Sequence, residues 1–314
     1  MHKLKGYFFA GLSAATFGLI PLFSIPVMHN GVDIDTILYH RFFIAVIAIG
    51  IMMKIRKESF RLRRDELFPL LFLGLLYAGS AFFLFQGYKM MPTGVAGTIL
   101  FLYPVIVTII SATFFKEPVS PFTLICIAIA FLGVSLLYVG DDTGTIGISG
   151  VFVVMLSSVA YSFYMVLIKK TKVAGLSGSK LTFYVLIVSF LFFGVKSFFS
   201  GSCTILSSAV DWINVSLLAI VTTVVSCVAL VYAIEYVGAT ATSILGALEP
   251  LTTVIVGILV FNEPFTLSLV VGFILIAFAV TLLILSEGVQ EYLRKIQRQL
   301  RFNNLTRKRK RTSR

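Results

Sequence analysis

Charge is what this sequence has least of. Asp, Glu, Lys and Arg make up 13% of its 314 residues, about half of the roughly 25% that a soluble domain carries. Beside 58% apolar residues, that leaves too little polar surface to cover a water-facing globule. Cysteine is scarce as well. Cys126 and Cys227 fall inside long apolar runs and Cys203 in a connection, which excludes a disulfide framework and a zinc site. Asp, Glu and His clustered at acid-base or metal spacing are missing. Their absence argues against the main rival class, a membrane-embedded enzyme acting on lipid-linked substrates. No glycine-rich phosphate loop is present, so ATP is not the driver and no cofactor is called for.

Long apolar runs, by contrast, fill the chain. A helix needs about 20 mostly apolar residues to cross roughly 30 Å of hydrocarbon. Ten windows qualify: Gly6–Val27, Ile37–Met53, Phe68–Tyr88, Gly94–Phe115, Val119–Val139, Gly147–Ile168, Leu181–Phe199, Ile213–Ile234, Ala241–Phe261 and Leu267–Ser286. Unpaired backbone groups in lipid cost several kcal/mol each, so such a chain crosses as helices or as a closed barrel. Continuous rather than alternating runs select helices. Lys3 and Lys5 precede the first run, which shows no clear small-residue cleavage site and reads as a retained span.

The basic residues orient the spans, because Lys and Arg collect in cytoplasmic loops. Lys54, Arg56, Lys57, Arg61, Arg63 and Arg64 follow the second run, and Lys169, Lys170, Lys172 and Lys180 follow the sixth. The connections at His29–Thr36, Lys89–Thr93, Gly140–Thr145 and Ser200–Trp212 hold one basic residue between them, Lys89. They face outward, and both termini face the cytoplasm. The net charge of +12 therefore reflects membrane topology rather than nucleic-acid binding. The tail, 287–314, ends in Arg307, Lys308, Arg309, Lys310 and Arg311, a segment that anionic lipid headgroups attract or a partner binds.

A shift of 146 positions lays Leu102–Pro118 on Leu248–Pro264, with Pro104 on Pro250, Glu117 on Glu263 and Pro118 on Pro264. A slightly different shift lays Gly6 on Gly150 and Ser13 on Ser157. The chain thus divides into five-helix repeats at 1–140 and 147–286. Five crossings are an odd number, so the second copy enters from the opposite side, as the charge pattern independently requires. Inverted repeats of this kind serve secondary transporters, which alternate access to one central site. The expected fold is an all-α integral membrane protein of ten transmembrane helices in two inverted repeats.

Arg41-Phe42-Phe43-Ile44-Ala45, the stretch from Pro104 to Glu117, Leu248-Glu249-Pro250 and Asn262-Glu263-Pro264 together resemble the EamA-type ten-helix members of the drug/metabolite transporter superfamily. The resemblance spans roughly Gly6 to Ser286. It implies a multi-pass inner-membrane protein, a cavity lined by helices 1–4 and 6–9, and export of a metabolite, and it is silent on which one.

Glu249 leads the candidate site. It lies about 13 Å into its run at 1.5 Å per residue, and a carboxylate there costs about 2.5–3.5 kcal/mol on insertion scales, so it faces a cavity or a partner. Pro250 frees a carbonyl near Gly246 that a ligand could use; alternatively Glu249 only braces the kink. Tyr103 is its repeat mate, and Thr242, Gly246, Glu249 and Thr253 share one helical stripe. Tyr77, Ser80, Gln86, Tyr161, Tyr164, Ser157, Thr223, Ser226 and Tyr232 complete a moderately polar, aromatic ring. Small polar residues also serve plain helix packing. Arg41 either snorkels outward, forms a structural ion pair or holds an anionic group of the cargo, while His40 reads as interfacial. Glu117 and Glu263 read as helix caps. With one arginine inside, phosphate cargo is disfavoured. A neutral, zwitterionic or cationic small molecule, such as an amino acid or amine, fits better, and a proton can compete with it for Glu249. The expected partners are this solute and the lipid, with the protein a monomer or homodimer and no metal or nucleic acid bound. A non-transporting scaffold is the remaining alternative.

Overall fold

The apolar runs fold as helices because each buries its own backbone hydrogen bonds before any side chain is placed. The structure is a computed structural model describing residues 2–91, 93–117, 119–137, 148–200, 206, 208–261 and, further on, 267, 270–272, 274–276, 278, 279 and 282. Pro118, Cys203, Gly140–Thr145, Glu263, Pro264 and the basic tail lie outside the described residues. Among the described residues there is no strand.

The helices are α1 (His2–Phe17), α2 (Ile20–His29), α3 (Ile34–Ile55), α4 (Arg64–Met90), α5 (Thr93–Leu100), α6 (Tyr103–Phe115) and α7 (Pro121–Leu137). After them come α8 (Ile148–Lys170), α9 (Gly178–Ser200), α10 (Ala209–Ala219), α11 (Ser226–Val237), α12 (Ala239–Leu245) and α13 (Leu248–Phe261). Among the described residues, seven helical stretches are long and apolar enough to cross a membrane: Lys3–His29, Ile34–Ile55, Arg64–Met90, Ile148–Lys170, Gly178–Phe199, Ala209–Val237 and Ala239–Val260. Local chemistry sets several ends. Asp33 caps α3 by accepting from the Asp35 N–H at 3.2 Å, and Glu66 reaches back to the Arg63 N–H at 2.9 Å. Lys116 and Gly238 take positive φ where α6 and α11 stop.

Among the described residues, four of the apolar runs are interrupted or irregular. The first breaks at Gly18-Leu19, the fourth at Phe101-Leu102 and the ninth at Gly246-Ala247. In the eighth, Ile220–Val225 forms a π-turn between α10 and α11. The first break is a packing device: a Cβ on Gly18 would collide with the Glu249 carbonyl, so only glycine lets α1 meet α13 there. Around these breaks α4 packs on α8 and α9, α1 on α11 and α13, α3 on α9, and α6 on α8. One continuous apolar cluster runs through the bundle.

Candidate functional site

Glu249 enters the second residue of α13, one turn past the break at Gly246-Ala247. Pro250 was expected to leave a carbonyl free near Gly246. Instead the Gly246 carbonyl is already engaged, accepting from the N–H of Glu249 itself at 2.9 Å. The carboxylate is partly buried and has no hydrogen-bond partner among the described residues. It lines a small cavity with Tyr103, Pro250, Thr253, Leu100 and Pro21. Thr253 secures the backbone beneath it, donating to the carbonyls of Gly18 at 2.9 Å and Glu249 at 3.2 Å. The expected stripe therefore divides. Glu249 and Thr253 reach the cavity, Thr242 donates to the Gly238 carbonyl at 2.7 Å, and Gly246 receives the Tyr103 hydroxyl where a Cβ would otherwise stand.

Arg41 does not snorkel. It is 1% exposed, it has no carboxylate partner among the described residues, and its Nε donates to Thr223 Oγ1 at 2.7 Å. Thr223 in turn donates to the Leu218 carbonyl, five residues back, at 2.9 Å. That i to i−5 reach exists because Ile220–Val225 is a π-turn. The rings of Phe42 and Phe85 lie 5.5 and 5.9 Å from the guanidinium carbon, which offsets part of the cost of its burial. Arg41 lines a second cavity with Tyr77, Ser80, Tyr161, Leu84 and Leu100.

The two cavities share Leu100 and are bridged by Tyr103 and Tyr161, whose rings meet edge to face at 5.2 Å. Phe17 stacks on Tyr161 at 5.8 Å, and Tyr164 lies 5.2 Å from Tyr77. Volumes of about 20 and 10 Å³ leave room for a water at most. The carboxylate and the guanidinium thus stand on either side of an aromatic partition, each with hydrogen-bonding capacity to spare.

Other expected residues lie elsewhere or spend their polar groups on packing. Ser80 and Ser157 sit with their hydroxyls 3.1 Å apart, and Ser157 donates to the Ser80 carbonyl at 2.8 Å. Ser226 and Ser13 form the matching pair at 3.3 Å, with Ser226 donating to the Ser13 carbonyl at 3.0 Å. Tyr77 accepts from the Cys227 thiol at 2.9 Å. Gln86 lines neither central cavity, and Tyr232 stands in a separate groove. His40 is buried, with Nδ1 2.9 Å from the Thr36 carbonyl and its ring edge-on to Trp212. Glu117 pairs with Lys170 at 2.6 Å, joining the ends of α6 and α8.

Two features escaped the sequence reading. Lys196, inside the seventh apolar run, pairs with the buried Asp35 and lies 4.5 Å from the Phe82 ring centre. A charge within a run was the available signal, but counting basic residues only in connections passed over it. Asp211, 2% exposed, accepts from the Asn30 amide at 2.8 Å. Together with Lys89–Asp33 at 3.3 Å, these contacts tie the starts of α3 and α10 to the ends of α2, α4 and α9. The opposite end is held by Lys170–Glu117 and by Lys172–Asp65 at 3.9 Å.

The sequence and the fold resemble those of known proteins. The chain is 26% identical over 230 residues to the uncharacterized transporter YvbV of Bacillus subtilis (strain 168), covering 71% of this chain and 73% of that one. One solved crystal structure of a protein matches with a TM-score of 0.75 at 18% identity, covering 92% of this chain and 98% of its own, a likeness of fold alone. The model of the EamA-like transporter family matches twice, at residues 4–139 and 148–285. Matched along nearly its whole length by that model, this multi-pass helical chain is a member of the EamA-like transporter family.

Proposed function

We propose that the protein is a secondary transporter of the cell inner membrane that exports a small neutral, zwitterionic or cationic metabolite, with an amino acid or amine the best fit. The observation that carries this is Glu249, a carboxylate without a hydrogen-bond partner among the described residues, facing a cavity inside the bundle. Across the Tyr103–Tyr161 partition, Arg41 holds one bond to Thr223 and keeps its remaining donors for a cargo carboxylate. Tyr77 and Tyr161, which line the cavity with Arg41, supply aromatic surface to the body of the cargo. In this reading a proton exchanges with cargo at Glu249 and drives export.

The reading places ten helices in two inverted repeats, 1–140 and 147–286, with both termini cytoplasmic. Its support is the pairing pattern: Ser13–Ser226 and Ser157–Ser80 are repeat mates of each other, and the mates Phe17 and Tyr161 stack face to face. Two copies related by an axis in the membrane plane exchange conformations around one site. The protein works as a monomer or homodimer, and the basic tail, 287–314, lies on anionic lipid.

A thermal-stability screen of the purified protein against pooled amino acids, amines, nucleosides and sugars tests the assignment. A ligand at 100 times its Kd stabilises by about 2.7 kcal/mol. Stabilisation by an amino acid or amine, lost in Glu249→Gln, is expected. A shift from sugars alone, or one that Glu249→Gln leaves intact, would remove Glu249 from the site.

A further inference from the structure

A groove of about 480 Å³ opens between α1, α3 and α11, apart from the two central cavities. Its floor is apolar: Leu12, Val225, Val228 and Ala229 line it. One wall is aromatic, with Phe9 stacked on Tyr236 at 6.3 Å and tilted on Tyr232 at 5.5 Å. Its one charged lining residue is Arg56, exposed at the end of α3 between Lys54 and Lys57. Arg56 has no carboxylate partner among the described residues.

Length and polarity together say what fits. From Val224 in the π-turn to Tyr236 near the end of α11, the helix rises roughly 18 Å at 1.5 Å per residue. One leaflet of hydrocarbon is about 15 Å thick. The groove is therefore as long as an acyl chain's share of the bilayer, apolar where the chain lies, and basic where a phosphate sits. Tyr232 and Tyr236 belong at that depth, since aromatic rings with one polar edge favour the headgroup boundary. A soluble metabolite finds no hydrogen-bonding floor here.

We propose that this groove is a binding site for an anionic phospholipid, its phosphate on Arg56 and one acyl chain along Leu12, Val225 and Val228. The site is independent of the transport assignment. Its deep end is the π-turn, and Val224 there is the immediate neighbour of Thr223, which holds Arg41.

Native mass spectrometry of the purified full-length protein, titrated with dioleoylphosphatidylglycerol or dioleoylphosphatidylcholine, tests it. The anionic phosphatidylglycerol should bind about fivefold more tightly than the zwitterionic phosphatidylcholine, the equivalent of ~1 kcal/mol for one basic group at a membrane surface. Arg56→Gln, at an exposed position, should abolish that preference, while Arg64→Gln should keep it. Val228→Trp, which fills the groove, should weaken both lipids. Equal binding of the two lipids to the unaltered protein, a preference that survives Arg56→Gln, or phosphatidylglycerol binding unchanged by Val228→Trp would each overturn the site.

Discussion

The spans Arg64–Met90 and Ala209–Val237 occupy corresponding places 146 positions apart, yet one is an unbroken α-helix and the other contains a π-turn. Both carry the serine that pairs with a neighbouring helix, Ser80 in one and Ser226 in the other. They part at Tyr77 and its mate Thr223. Tyr77 accepts from a thiol, whereas Thr223, carried by the π-turn, accepts from a buried guanidinium. The first and sixth apolar runs differ in the same manner: α1 and α2 are separated at Gly18-Leu19, and α8 runs unbroken from Ile148 to Lys170. The paired serines recur at both places, and the π-turn falls where the arginine is buried.

Breaking the contacts between the halves should rank accordingly. Lys196→Ala leaves Asp35 buried, with its Oδ1 already lacking a partner. It should cost about 3 kcal/mol, near the lower end for a broken buried pair because Lys196 is a third exposed. Thermal or denaturant unfolding in detergent would read the loss. Lys172→Ala, in a pair exposed on both sides, should cost under about 1 kcal/mol in the same assay.

The mates Tyr77 and Thr223 can be compared directly. Thr223→Val removes an acceptor from a buried charge and should cost about 1.5–3 kcal/mol, whereas Tyr77→Phe removes a neutral bond and should cost about 1 kcal/mol. Equal losses would mean that the π-turn gives Arg41 no special support. Gly246→Ala should destabilise by about 1–3 kcal/mol, because its methyl group falls on the Tyr103 hydroxyl. Adding Tyr103→Phe should restore part of that loss, and a double-mutant cycle would measure the coupling.

Small effects also belong to the serine pairs. Ser13→Ala and Ser157→Ala should each cost about 0.6 kcal/mol, the average for hydrogen bonds between membrane helices. Similar values would support equivalent interfaces. A several-fold difference would trace to the reversed polarity of the pairs, since the donor to a backbone carbonyl is on α11 in one and on α8 in the other.

Much of the scaffold was legible because apolar run length needs no partner to be read. The runs at Ile37–Met53 and Leu181–Phe199 appear as α3 and α9 with ends moved by a few residues. The break before Pro250 was legible as a disturbance but misplaced in consequence, since the Gly246 carbonyl is satisfied by the Glu249 N–H three residues on. Arg41 was legible as a charge in a helix. Its burial was not, because snorkelling and burial differ only in what stands alongside, here Thr223 and two phenylalanine rings.

By itself, the sequence determined that this chain lives in a membrane as helices, and that its two halves carry the same marks at the same spacing. Those properties follow from hydrophobicity and from the closure of backbone hydrogen bonds within each segment. Tertiary structure alone decided which side chains share a cavity. Ser80 and Ser226 pair with neighbouring helices, Tyr232 lines an outer groove, and Glu249 and Arg41 stand on two sides of one aromatic partition. Helix rotation and the positions of breaks set those neighbours, and both depend on packing between residues far apart in the chain.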